Sequence, residues 1–216
     1  MPGQDHAGAG VTTTPFQHIV NAAAEQMAAG VVRPDVAEAA RRAGVAPGAA
    51  TAIFADGEAL RQAVIDALLQ RVLVSATAGL TTADPDDPVE QLRGMMHAMA
   101  RYFQTDPDGC AILITQNLNL PYHRETYRYW KSLARVGHGL VERAAAAGRM
   151  SAGLTTDLVM SLGQTLIAGV LYQSTTMHEG GRRPPLAAEA AAMHLRQIDT
   201  FLHCVFGGHG AGGAPC

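Results

Sequence analysis

The stretch GVAPGAATAIFADGEAL, residues 44–60, decides the fold. Gly44 and Val45 make a turn, Pro47 opens a short helix, and Asp56 with Glu58 opens another, because carboxylates suit the positive end of a helix. This is the rhythm of the turn and second helix of a helix-turn-helix, whose second helix ordinarily enters the major groove of DNA. Between Pro47 and Phe54, however, the only polar side chain is Thr51; there is no Lys, Arg, Asn, Gln or Tyr. The stretch specifies the shape of a reading helix without the side chains that read.

Working outward, the pattern predicts nine helices and no convincing strand, an all-α fold. Residues 15–29 place Ile19, Ala23 and Met27 on one face, and Gly30 ends that helix. A second helix, 34–43, starts at Pro34 and stops at Gly44. The fourth, long helix runs over 56–77, capped by Asp56. TTADPDDP (81–88) is an acidic, Pro-bearing break and a candidate boundary. Helix five, 89–104, repeats Val89, Leu92, Met96, Met99 and Phe103 in a 3-4 pattern. Helix six carries CAILITQNLNL and stops before Pro121. Helix seven, 123–147, buries Trp130, Leu133, Val136, Leu140 and Val141. Helices eight (156–178) and nine (186–205) are joined by EGGRRPP, and eight carries Ser161, Thr165 and Gly169 at the four-residue spacing that permits close helix contact. The expected organisation is a flexible N-terminus (1–14), a helix-turn-helix module (15–55), a larger helical domain (56–206), which the family resemblance given below makes the ligand-binding and dimerisation domain, and a disordered Gly-rich tail (207–216).

Composition narrows the class. The chain has 216 residues, 48 % apolar, enough for a substantial core, and a formal net charge of −3 gives no global attraction to nucleic acid. Lys131 is the only lysine. Cys110, Cys204 and Cys216 show no metal spacing. MPGQDHAGAGVTTT does not read as a signal peptide, and no apolar run is expected to reach membrane-spanning length. The simplest reading is a soluble cytoplasmic protein with free thiols and no membrane partner.

The signature IVNAAAEQMAAG…VAEAARRAGVAPGAATAIFADGEALRQAVI resembles the TetR-type regulators, in its Ala-rich first helix, AxxAGV, the Pro-Gly start of helix three, Phe54 and EAL. The resemblance covers nearly the whole chain. It implies a homodimer in which three N-terminal helices grip an operator and a C-terminal helical domain binds a small molecule. It also implies that the last two helices form the dimeric bundle. The sequence departs from the family where DNA would be touched. Ala46, Ala49, Thr51, Ala52, Ile53 and Gly57 stand where donors and basic or aromatic residues are usual. Pro34 and Asp35 stand where a phosphate-binding Thr is common, and Ala39 and Ala50 replace larger aliphatics. Residues 1–60 carry a net charge of −3, so the module repels phosphates. Thr51, Arg41 and Arg42 are the residues left for DNA, together with backbone amides at the start of helix three. Loss of operator binding is the expectation.

The chemistry-bearing residues lie further on. Gln116, Asn117 and Asn119, with Thr115, follow an apolar run, in a region that lines the ligand cavity in the family; buried amides must find partners. Met96, Met99, Tyr122, Tyr127 and Trp130 are candidate walls, and Gln164, Tyr172 and Gln173 face either a ligand or the dimer seam. MMHAM (95–99) suggests soft-metal chemistry, but its methionines complete a core stripe and no metal is expected. His97 and Asn117 are the acid–base candidates. His138, His178, His194 and His203 lack mutual spacing and are expected at the surface or a dimer interface. No P-loop, dinucleotide fingerprint or nucleophile elbow is present, and no cofactor is expected. The sequence favours a binder of a small apolar or aromatic molecule, dimeric through helices eight and nine. That binder has lost operator binding and carries or converts a pathway metabolite in an isomerase, cyclase or lyase-type step. The alternative is a ligand-responsive DNA-binding repressor.

Overall fold

Nine helices are present among the described residues, with no strand. The computed structural model describes residues 14–119, 124–176 and 187–207. The expectations for the N-terminus and the tail fall almost wholly outside them. The chain divides into two compact units after Val64, later than the 55/56 division the sequence suggested and before the 81–88 break.

The first unit holds α1 (Pro15–Ala28), α2 (Val36–Ala43), α3 (Pro47–Ile53) and the opening turns of α4 (Gly57–Thr81). Thr14 caps α1, its hydroxyl accepting from Gln17 N at 3.3 Å. The expected face of α1 is the buried one: Ile19, Ala23 and Met27, joined by Val20 and Ala22. Helix α2 starts at Val36 rather than Pro34. Asp35 is extended and caps the helix from outside, accepting from Glu38 N at 2.7 Å. Gly44 closes α2 in the left-handed conformation (φ 68°), which a side chain at that position would oppose. Asp56 begins α4 as expected, accepting from Ala59 N at 2.8 Å. Ala39, Ala40, Ala50, Phe54 and Leu60 complete the core, and Phe54 stacks on Phe16 with ring centroids 5.3 Å apart.

The second unit holds the rest of α4, with α5 (Pro88–Thr105), α6 (Pro107–Asn119), α7 (Arg124–Ala146), α8 (Thr156–Thr176) and α9 (Ala188–Phe206). Helix α5 is its centre, packing against α6, α7, α8 and α9. Its predicted stripe is buried throughout: Val89, Leu92, Met96, Met99 and Phe103. Helix α4 continues to Thr81, past its expected end, and crosses α5 where Gly79 and Gly94 face each other. A Cβ on either would collide with the other's carbonyl. Beside that crossing the Ser75 hydroxyl donates to Ala98 O at 3.0 Å. By length and composition α4 could cross a membrane, with a mean hydropathy of 1.5 in its most apolar window, whereas the sequence reading expects no apolar run of that length. Val136 on α7 is exposed, not buried. The buried line of α7 is Leu133, Gly137, Leu140, Val141 and Ala144, and Val136 falls off it.

A corner at residues 147–155 ties α5, α7 and α9 together. The Arg149 guanidinium donates to Asp87 Oδ1 at 2.6 Å, and that oxygen also caps α5 through Val89 N and Glu90 N. Ser151 donates twice to the end of α9, its N–H to Val205 O at 2.8 Å and its hydroxyl to Cys204 O at 2.9 Å.

Candidate functional site

The helix-turn-helix surface keeps its shape. In α3 only Ala50 is buried. Pro47, Gly48, Ala49, Thr51, Ala52 and Ile53 are exposed. No side chain caps α3, and the Thr51 hydroxyl turns back to its own helix, 3.2 Å from Gly48 O. Gln26, which sequence reading passed over, pins α1 to the start of α2. Its Oε1 accepts from Asp35 N at 3.0 Å and its Nε2 lies 3.4 Å from Asp35 O.

The charges of this unit are turned on one another. Arg41 and Arg42, the residues left for DNA, both bond Glu38, at 2.8 and 2.7 Å. Those hydrogen bonds, from Arg41 and then Arg42, hold the Glu38 carboxyl down at about 2. Glu58 pairs with Arg33 at 3.4 Å and with the buried Arg61. All four arginines of the described first unit therefore contact a carboxylate. The Glu38 amide in the first turn of α2, where a phosphate would be favoured by the helix dipole, already holds the Asp35 carboxylate. Exposed pairs such as Arg41–Glu38 are weak because water screens them, so the arginines can exchange partners. The Asp35 cap is harder to displace, because a phosphate there would meet a like charge.

Few of the remaining candidates lie in the interior of the second unit. Met95, Met96 and Met99 are buried on α5, and Trp130 is half-buried on α7. The side chains of Gln116, Asn117, Asn119 and Tyr127, and all of Tyr122 and His178, lie outside the described residues. His97 is largely covered, its Nε2 3.1 Å from Asp199 Oδ1, which also lies 3.2 Å from Arg93 Nε. His97 thus lies where α5 meets α9, beside the Arg93–Asp199 ion pair. Nothing in the local sequence could reveal this pairing, since Asp199 is remote in the chain.

His194 departs furthest from expectation. It is 1 % exposed, not at the surface, and its Nε2 lies 2.7 Å from Gln173 Oε1. Burial lowers its pKa, favouring the neutral ring. Nearby, Gln104 Nε2 donates to Ala191 O at 3.1 Å, and Ser174 and Thr175 are buried on α8. Helices α5, α8 and α9 therefore bury the polar side chains of Gln104, Ser174, Thr175 and His194, with Gln173 exposed at the edge.

Other candidates point outward. Gln164 and Tyr172 lie on an exposed face of α8 with Leu158, Ser161, Leu162 and Thr165. His138 is within ion-pair distance of Glu142 and Asp157 (3.4 and 3.6 Å), and His203 is exposed on α9. A surface groove of about 400 Å³ runs between α4 and α5, lined by residues including Gly79, Arg101 and Tyr102; none of the expected ligand residues lines it. Among the described residues no group of His, Cys, Asp and Glu is placed to hold a metal ion.

No protein-family model and no curated protein matches the chain. Solved structures do. The ketosteroid transcriptional regulator KstR2 of Mycobacterium tuberculosis superposes with a TM-score of 0.67 at 17 % identity, over 92 % of this chain and 98 % of that one. A TetR transcription regulator from Haloarcula marismortui gives 0.71 at 14 % identity, over 89 % and 98 %. The fatty acid degradation regulator FadR from Bacillus halodurans gives 0.64 at 15 % identity, over 87 % and 97 %. The fold is that of the TetR-type regulators, as the sequence signature implied.

Proposed function

We propose that this chain is a ligand-responsive transcriptional regulator, cytoplasmic and homodimeric, whose second unit binds a small apolar or aromatic molecule. The observation that carries this reading is the intact module with the face of α3 left exposed. An apolar face that serves only as scaffold gains nothing from standing in water. The surface offers methyl groups at Ala49, Thr51, Ala52 and Ile53, and methyls recognise the thymine C5-methyl and groove shape rather than hydrogen-bonding edges. The solved structures of like fold include regulators of transcription, which supports the same reading over an enzymatic one.

A second reading, a ligand-binding or metabolite-converting protein without an operator, is favoured by one observation. The arginines and the α2 terminus of the first unit are occupied by the unit's own carboxylates. Selection from a random duplex library, followed by anisotropy at about 50 and 200 mM salt, separates the two. A regulator should enrich a defined, thymine-bearing site. Its affinity should fall with salt much less than for a module making about six to ten phosphate contacts. No enrichment at either salt would leave the second reading. Mass spectrometry of metabolites incubated with the protein then shows whether they return unchanged.

A further inference from the structure

The buried His194 side chain has one ring nitrogen committed and one idle. Its Nε2 meets Gln173 Oε1 at 2.7 Å, so Nε2 carries the proton and donates. Its Nδ1 is buried and has no hydrogen-bond partner among the described residues. In a neutral ring whose Nε2 is protonated, Nδ1 is a bare acceptor, and an unmet acceptor in an apolar interior is costly. The groups around it are not alternatives. The Gln104 amide already donates to Ala191 O, the Ser174 hydroxyl to Val170 O and the Thr175 hydroxyl to Tyr172 O. One turn further along α9, Ile198 is completely buried, and on α8 Val170 and Leu171 are buried beside the Gln173 turn. The His194 ring is buried while Gln173 is exposed, so the inner nitrogen is an acceptor without a donor among the described residues.

We propose that His194 Nδ1 is a ligand-recognition atom, and that the site takes an apolar molecule bearing a hydroxyl donor, an aliphatic or aromatic alcohol. This rests on the ligand-responsive reading and sharpens it. Gln173 acts as a positioning residue. By accepting from Nε2 it fixes the tautomer that leaves Nδ1 free, and it places the acceptor from α8 while the ring comes from α9. An ether of the same shape fills the same space but brings no donor, so it leaves Nδ1 unmet. Discrimination between alcohol and ether is the signature, because rejecting an analogue that lacks the expected donor costs the site its buried partner.

The test uses the full chain with matched pairs of probes: decan-1-ol and its methyl ether, and 4-phenylphenol and its methyl ether. Calorimetry on the wild type should show at least one alcohol bound about tenfold more tightly than its ether. In His194→Leu that preference should vanish while the ether still binds. Nitrogen NMR of the wild-type imidazoles guards against a variant that fails to fold. The free protein should show His194 with Nε2 protonated and Nδ1 bare, and the alcohol, not the ether, should shift the Nδ1 resonance. Equal binding of alcohol and ether overturns the assignment while leaving a ligand-binding unit. A proton on Nδ1 in the free protein overturns it as well. Binding of neither probe of either pair overturns it together with the ligand-binding reading.

Discussion

Gly57 shows how a single residue can be both a lost contact and a packing requirement. In the family signature a lysine is usual there, and its absence reads as a lost phosphate contact. The structure adds a second cause. A Cβ at Gly57 would run into the Pro34 carbonyl oxygen, so the Pro-Asp entry to α2 and the bare Gly57 fit only each other. Gly57→Ala should therefore destabilise the protein by about 1–2 kcal/mol, the cost of overpacking outweighing the gain in helix propensity. Gly48→Ala, where no atom lies within 4 Å, is the control and should cost nothing comparable. Urea unfolding followed by circular dichroism reads both; equal stability of the two variants would refute the packing account. Residue-scale detail of this kind was half legible. Composition exposed the missing donors of α3, but the partners of Gly57, Gln26, His97 and His194 are set by tertiary approach, which no local pattern encodes.

Elements were the most legible scale. The 3-4 repeat of α5 and the faces of α1 were readable because burial imposes the helical period on apolar residues. Val136 misled because α7 has apolar residues wider than its buried line. The α4–α5 crossing was not readable, since Gly79 and Gly94 resemble ordinary interruptions until two backbones are seen to touch. Gly94→Ala should cost about 1–3 kcal/mol or more by forcing those backbones apart. Gly139→Ala on α7 meets no atom within 4 Å and should stabilise by about 0.5–1 kcal/mol. The opposite signs, read as shifts in denaturation midpoint at unchanged slope, check the crossing. A tolerated Gly94→Ala would mean that α4 and α5 can separate at little cost.

At the scale of the molecule, α8 and α9 leave apolar side chains in water. Leu158, Leu162, Tyr172 and Met193 are between 41 and 56 % exposed, which suits a twofold contact between copies, where the same patch meets itself. Gly169 lies along α8 with no atom within 4 Å of a Cβ, so a side chain there fits the protomer. Gly169→Glu should give a folded monomer in light scattering, with helical content unchanged; a persistent dimer would place the seam on another face. Dimerisation was expected from family likeness and from the long apolar surfaces of helices eight and nine, whereas the exposure of Gln164 and Tyr172 needed coordinates. The corner at residues 147–155 has a separate consequence. Loops usually absorb changes of length, but here Arg149 reaches the start of α5 while Ser151 holds the end of α9. An extra residue between 149 and 151 would break one anchor or the other. This short connection therefore works as a fixed ruler, and it is a poor place to splice in a tag or a reporter domain.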